Sequence, residues 1–548
     1  MEPRLRRTLL AAILLVSVLV NSWHLQWGLP NGNTTWAADA ITPLTPLSVA
    51  KKSFAKPNSG WFYFKYPIGH PLLLLVGYAP YLGTLYFTGE FRRPESRYPY
   101  GFKNPERSLA ILALIGRAVS VAMAAGMVWI VYALGMLLFE PGAALLGAAA
   151  AACAMVLVFY AHTTNLDVPV TFWMLLALLF AVRLMRAVSW RDCMGLGIAA
   201  AMGFATKESA VGFLIALPLF IAVAQWRQLH PLSAAAIGPV ILRLGVGAVV
   251  SVLVYGVVTN AFYNPAGLMN RWRFLTGTLP REYFGTLVPR AAYIDVTHGP
   301  SLATHMRLLR ELVVSLTNGV GIALCTAGLC GLVVALVRAP WTAALPMTLF
   351  ATYYWFALTA LPLVAVRYVL PLSMLLMLFA GVFLHALGRR GAMGRGVVAT
   401  VLLAGLAYGA SVDHLLMRDP RYAAESWLRD RAQGRTVETY NRATFLPRMP
   451  AGVNVSQPKF SDTTREGLAQ RRPDFIVLNM ADISRVTGHY DTFEIGVKRR
   501  PENEAFLRAL LAEELGYRRV AQFRTPSLLL RDEVIRSLNP EIVVFARP

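Results

Sequence analysis

Residues 109–138 read LAILALIGRAVSVAMAAGMVWIVYALGMLL, thirty positions interrupted by one charge, Arg117. A helix needs about 20 apolar residues to cross the roughly 30 Å hydrocarbon core of a bilayer, so this stretch is long enough to span. The pattern repeats on both sides of it. Apolar runs occupy residues 143–162, 169–187, 194–207, 209–224, 237–259, 314–337, 344–363, 368–386 and 395–411, and one at 8–20 precedes them all. Together they predict a polytopic α-helical membrane protein of about eleven spans. The runs at 194–207 and 209–224 are short and share a polar break, Thr206-Lys207-Glu208-Ser209.

Composition agrees. Of 548 residues, 56% are hydrophobic and 15% charged, where a soluble chain carries about 25% charged residues. A soluble globular enzyme and a disordered chain are both excluded. The formal net charge is +22, from 52 Lys and Arg against 30 Asp and Glu. In a membrane protein such an excess suits anionic lipid and anionic substrate, and no nucleic-acid-binding motif competes with that reading. The cysteines, Cys153, Cys193, Cys325 and Cys330, lie in or beside apolar runs, which indicates neither a disulfide framework nor a zinc motif.

Sidedness follows from the basic residues. Arg4, Arg6 and Arg7 precede the first run, and no small-x-small cleavage site follows it; Trp23 and Trp27 come next, as interfacial anchors would. The first run therefore reads as an uncleaved span with its N-terminus inside. Inside loops then hold Arg183, Arg186 and Arg191, Arg227, Arg338, and Arg389, Arg390 and Arg395, as the positive-inside rule requires. Residues 27–108 form a first outer loop. Its apolar stretch, Pro71 to Gly89, is expected to lie along the outer interface, because a span there would invert every later loop.

Composition changes after Ser411. Residues 1–411 read as the membrane domain, and residues 412–548 as a small extracytoplasmic soluble α/β domain. In the latter, β-rich pieces at Thr436–Tyr440, Asp474–Asn479, Arg519–Phe523 and Glu541–Ala546 alternate with helical patterns at Tyr422–Gln433 and Glu502–Leu515.

An ionisable residue at membrane depth is costly and marks a functional position unless its side chain snorkels to the surface. Asp39 is the one acid between Gln26 and Thr88. In an apolar, aromatic segment it suits a general base, since partial burial raises a carboxyl pKa; a helix cap or plain surface acid is the bland alternative. Lys65-Tyr66-Pro67-Ile68-Gly69-His70-Pro71 opens an apolar helix, with His70 a substrate-binding candidate. Arg117 sits some eight residues into its run, either snorkelling or pairing with a carboxylate. Asp167, in Asn165-Leu166-Asp167-Val168-Pro169, is placed to cap a helix, which does not exclude a second role. Lys207 in the polar break and Arg367 in Arg367-Tyr368-Val369-Leu370-Pro371 stand at the outer ends of spans. Broken helices are tolerated in a bilayer where they line protein or a wet cavity, and cations there suit a phosphate. Each is equally an ordinary anchor when taken alone.

In order and spacing, these motifs over residues 8–386 make the chain resemble the GT-C membrane glycosyltransferases that use polyprenyl-phosphate sugars. Within them it is most similar to glycosyltransferase family 39, which includes protein O-mannosyltransferases and the lipid A aminoarabinose transferase. The resemblance implies a GT-C fold and an inverting transferase that moves a sugar from a polyprenyl-phosphate donor to an acceptor hydroxyl on a lipid, glycan or protein at the outer membrane face. It makes Asp39 the base toward the acceptor. It makes Lys207, Arg367 and Tyr368 binders of the departing phosphate, and Arg117 and Asp167 supports of the first outer loop. The O-mannosyltransferase pattern has paired acids where this chain has Asp39-Ala40, which weakens the case for a protein acceptor. No convincing ligand set for a metal is visible, so no essential metal or other cofactor is expected. Abundant Arg and Ala suit a GC-rich bacterium, which implies the cytoplasmic (inner) membrane. The rival readings are a secondary transporter of an anionic or lipid-linked substrate and a non-catalytic assembly or receptor protein.

Overall fold

The computed structural model describes residues 2–62, 66–230, 233–276, 278, 301–359, 364–441, 443–459, 462–481, 483, 501–530, 534–535 and 537–548. Lys65 of the predicted helix-opening segment, and the last residues of the 344–363 run, lie outside them.

The chain divides into two compact units, one of residues 1–25 and 40–410, the other of residues 26–39 and 411–548. The first is almost wholly helical. Its N-terminal half runs α1 Pro3–Ser22, α2 Thr45–Phe54, α3 Gly69–Phe87, α4 Pro105–Leu138, α5 Pro141–Ala152, α6 Met155–Ala161, α7 Asp167–Arg186 and α8 Trp190–Thr206. It continues through α9 Ala210–Leu214, α10 Leu217–Leu229, α11 Ala234–Val258, α12 Pro265–Thr276, α13 Leu302–Val320, α14 Ile322–Arg338 and α15 Pro340–Tyr353. A single 3₁₀ turn, Val366–Val369, then leads into α16 Leu370–Gly388 and α17 Ala392–Met417, of which residues 411–417 already belong to the second unit.

Among the described residues, seven helices are long and apolar enough to cross a membrane, and up to nine if each of two bent pairs is one span. The chain is thus a multi-pass, mostly helical membrane protein. The count is lower than the eleven runs because apolar length in sequence is not helix length. The 143–162 run is broken into α5 and α6, bent by 55°, and α13 meets α14 at 116°. Helices α8 and α15 stop at 17 and 14 residues. Helix α3 does form over the stretch expected at the interface, and it is not among the seven. Helix α16 lies inside the unit, with residues Leu370 to Gly381 all buried. An all-round apolar helix of that kind belongs in a protein interior.

The second unit contains α18 Pro420–Arg431, α19 Arg465–Arg471 and α20 Pro501–Leu511, with strands β1 Thr436–Glu438, β2 Asn454–Ser456, β3 Phe475–Asn479, β4 Arg518–Phe523 and β5 Ile542–Ala546. The strands form one sheet in the order β2-β1-β3-β5-β4. The β1–β2 and β1–β3 pairs are parallel, and β5 is antiparallel to both β3 and β4. Along β3, Phe475 and Val477 join one apolar cluster, with Ala424 and Leu428 of α18, while Ile476 and Leu478 join another, with Leu507 and Leu510 of α20. That is the two-residue alternation of a strand covered on both faces. The four strand positions read from sequence are present, and β2 is an addition: three residues, mostly exposed, leave too weak a pattern to read.

A fully buried carboxylate, Glu438, ends β1. It accepts from Arg471 Nε at 2.7 Å and Nη2 at 2.9 Å, and from the hydroxyls of Tyr440 and Ser456. A buried charge persists where it is paired and hydrogen-bonded in this way. The Glu438 carboxylate in turn holds the Arg471 guanidinium above its ordinary pKa.

Candidate functional site

Four of the residues picked from sequence converge in the first unit. Asp167 opens α7, where Asn165 Oδ1 accepts its backbone N–H at 3.1 Å. The N-cap position belongs to Leu166, and Asp167 stands in the first turn of the helix rather than capping it. The Asp167 carboxylate takes Lys207, with Nζ 2.6 Å from Oδ1. Lys207 leaves α8 with extended backbone and φ of −159°, so the helix stops and the side chain is free of its last turn. This is the polar break expected between two short helices. Arg367, on the 3₁₀ turn before α16, brings Nε to 4.0 Å from Asp167 Oδ2. Its Nη2 donates to the Tyr368 hydroxyl at 2.9 Å.

Aromatic faces close around the cations. Lys207 Nζ lies 4.9 Å from the centroid of Tyr368 and 5.7 Å from that of Tyr66. The Arg367 guanidinium also lies 4.9 Å from Tyr368. Such contacts are worth about 0.5–2 kcal/mol each, the larger value when water is excluded. Water is largely excluded here: the Asp167 and Lys207 side chains are 6% and 12% exposed. Tyr353 at the end of α15 donates to the Tyr368 carbonyl at 3.1 Å and fixes that backbone.

Tyr66 reaches the cluster because α3 is set hard against α8. A Cβ on Gly69 would lie 2.7 Å from the Ala205 carbonyl oxygen, a distance real Cβ atoms essentially never show. This close approach explains the glycine of the Tyr-Pro-x-Gly-His-Pro segment. Tyr66 was read only as part of the helix-opening segment and Tyr353 was not singled out, since a tyrosine in an apolar chain reads as core until its neighbours are known.

The other candidates sit elsewhere. His70, in the first turn of α3, is fully buried, and neither ring nitrogen has a hydrogen-bond partner among the described residues. Arg117 is buried in α4, and its guanidinium donates to the Leu25 carbonyl. His162 Nε2 meets the neighbouring Trp23 carbonyl at 2.7 Å. Thr164 and Ile41 exchange two bonds, Ile41 N–H to the Thr164 carbonyl at 3.2 Å and Thr164 hydroxyl to the Ile41 carbonyl at 2.6 Å. Arg117 therefore fastens backbone just before the segment 26–39, and the residues ahead of Asp167 fasten backbone just after it.

Asp39 belongs to the second unit, half-buried, with φ of +63°. A non-glycine residue in the left-handed region is uncommon and held there by its surroundings. Trp27, read from sequence as an interfacial anchor, is instead fully buried in that unit, with its indole N–H donating to Asp419 Oδ2 at 2.9 Å. A buried tryptophan needs such a partner, and nothing near Trp27 in sequence announces an acid almost four hundred residues away. Among the described residues, no three His, Cys, Asp or Glu side chains come together as metal ligands would.

Residues 113–255 match the family described as dolichyl-phosphate-mannose-protein mannosyltransferase. The match takes in about a quarter of the chain, including Arg117, Asp167 and Lys207. It bears out the resemblance to the polyprenyl-phosphate-sugar glycosyltransferases. No curated protein matches closely enough to count as a relative. Similar solved structures include the Saccharomyces cerevisiae protein O-mannosyltransferase Pmt1-Pmt2 complex bound to its sugar donor, at 16% identity and TM-score 0.36, covering 49% of this chain and 35% of that one. The Archaeoglobus fulgidus oligosaccharyltransferase is 14% identical with TM-score 0.48, over 90% and 70% of the two chains. ArnT from Cupriavidus metallidurans bound to undecaprenyl phosphate is 12% identical with TM-score 0.45, over 99% and 98%.

Proposed function

We propose that this chain is an inverting GT-C glycosyltransferase that moves a sugar from a polyprenyl-phosphate donor to an acceptor hydroxyl on the outer face of a bacterial cytoplasmic membrane. The observation that carries this reading is the cluster of Lys207, Arg367, Tyr368 and Asp167. It contains two cations and one carboxylate, largely shielded from water, in a chain whose residues 113–255 match a mannosyltransferase family.

The chemistry fits the charge. The acceptor oxygen attacks the anomeric carbon as the bond to the phosphate oxygen breaks, and the configuration inverts. The acceptor proton passes to Asp39, because a hydroxyl is a poor nucleophile without a base. General-base help is worth about 10²–10⁴-fold. The donor phosphodiester carries one negative charge and the departing phosphate monoester gains a second. A site with net charge +1 and preorganised donors on Lys207 and Arg367 stabilises that growing charge. The Tyr368 hydroxyl, held by Arg367, adds a donor. Asp167 pairs with Lys207 while no phosphate is present, and Arg117 fastens the chain just before the segment that carries Asp39. The N-terminus is inside and the second unit outside, and the reaction needs no metal.

Purified protein incubated with a panel of polyprenyl-phosphate sugars and candidate acceptors tests the reading, with lipid phosphate release as readout. Release that Asp39→Asn abolishes while expression holds supports the transferase. Tight donor binding with no release from any donor favours a transporter and overturns the proposal.

A further inference from the structure

The mechanism uses Asp39 but leaves open what holds its backbone in a left-handed conformation. The segment 26–39 is packed into the second unit as one of its own elements, and the residue at the centre of that packing is Arg421. Its side chain is fully buried. The guanidinium lies 4.1 Å from the centroid of Trp36 and 5.3 Å from that of Trp27, and the two indoles meet edge to face at 5.9 Å. Both tryptophans are essentially without solvent exposure.

Arg421 is itself fixed. Its Nε and Nη2 donate to the two oxygens of Asp419 at 2.9 and 2.6 Å, and Nη2 also donates to the Ser537 carbonyl at 2.8 Å. Asp419 Oδ2 takes the Trp27 indole as well, so one carboxylate ties the cation to the first tryptophan. Around this core, the Tyr422 hydroxyl accepts the Gly28 N–H at 2.9 Å, and its ring packs on Trp36 at 5.1 Å. Arg448, ion-paired with Glu425, lies 5.3 Å from Trp36 and donates to the Pro30 carbonyl at 3.1 Å. Gly28 completes the fit: φ is +70°, and a Cβ there would stand 2.8 Å from the Trp36 ring. Trp36 is three residues from Asp39, so the clamp ends where the strained backbone begins.

We infer that Arg421 is a positioning residue for Asp39, acting through the Trp27–Trp36 clamp, so that the C-terminal domain serves to hold the catalytic acid's loop in one conformation. This rests on the base role proposed for Asp39. The planar guanidinium matters as well as the charge: it makes a bidentate pair with Asp419 and lies against two indole rings, which a lysine ammonium cannot reproduce.

Two measurements on the full-length protein test it. Hydrogen exchange reads the loop directly, and undecaprenyl phosphate release from the donor that the wild type turns over reads the chemistry. Arg421→Lys and Trp36→Leu are expected to speed exchange of amides 31–39 about tenfold or more while β3 and β5 stay protected. Both are expected to lower kcat by about ten- to a hundredfold, since misplacing a reacting group by an ångström costs that much, with donor KM within about twofold of wild type. Arg508→Gln, at an exposed helix pair remote from the clamp in sequence, is the control for a surface charge change in the same domain. Trp36→Leu leaves the buried Asp419–Arg421 pair intact, so it decides the matter if Arg421→Lys unfolds the domain. Unchanged loop exchange in Trp36→Leu, or faster exchange with wild-type kcat, overturns the inference. Asp39→Asn that still transfers sugar overturns the base role instead, and leaves the exchange result to stand as a purely structural clamp.

Discussion

At the scale of single residues, the cation cluster makes predictions of opposite sign. Lys207 is neutralised by Asp167 at 2.6 Å, while Arg367 stands further off at 4.0 Å. Asp167→Asn raises the cluster from one net positive charge to two. It is expected to tighten binding of undecaprenyl phosphate by about tenfold, or 1.4 kcal/mol. Lys207→Met removes the nearest cation and is expected to weaken the same binding and to lower turnover by about 10²–10³-fold, the usual effect of losing one preorganised donor. Titration of the purified variants with undecaprenyl phosphate checks both. If the two variants move affinity in the same direction, the phosphate is not held by this charge balance. Transfer in the presence of EDTA at the wild-type rate is the expected result for a metal-free reaction; a loss restored by a divalent cation would refute it.

At the scale of elements, two contacts tie sequence to packing. The approach of α3 to α8 at Gly69 leaves no room for a side chain. Gly69→Val should push the helices apart, at a cost of about 1–3 kcal/mol for overpacking. Because Tyr66 lies just ahead of α3, the variant should also lose phosphate affinity, whereas a purely structural glycine would lower melting temperature alone. In the second unit, Arg471→Met would strand Glu438 in the interior. Removing one partner of a buried pair costs about 3–5 kcal/mol, a large part of a domain's stability. Hydrogen exchange at β1 and β3 is the measurement, and near-wild-type protection there would show that the pair adds little to the domain's stability.

At the scale of the whole molecule, sidedness is the property most open to test. The arginines of the short loops predict that the N-terminus is cytoplasmic and the C-terminal unit external. Protease added to spheroplasts should therefore remove epitopes within residues 412–548 and spare one at the N-terminus. The reverse pattern would put Asp39, the proposed base, in the cytoplasm and end the proposal.

What was legible in sequence and what was not divides by the range of the forces involved. Bilayer solvation acts on every residue of a run at once, so the membrane class and the change of character after Ser411 stand out in composition alone. Short runs rich in β-branched and aromatic residues made β1, β3, β4 and β5 visible in an equally local way. The polar positions Asp167, Lys207 and Arg367 were legible because an ion in an apolar run is expensive wherever it ends up. The resemblance set Lys207, Arg367 and Tyr368 on one phosphate, but the pairing of Asp167 with those cations was not legible, since the residues are separated by forty or more positions and only the packing of α7, α8 and α16 brings the charges within ion-pair reach. Helix lengths and breaks escaped as well, because they depend on where neighbours and backbone turns stop an apolar run. The sequence by itself determined that this chain lives in a membrane and must account for a few costly charges. Tertiary structure alone decided which charges pair, and that residues 26–39 pack with a domain nearly four hundred positions later, because those contacts rest on close-range packing and hydrogen bonding that no linear pattern encodes.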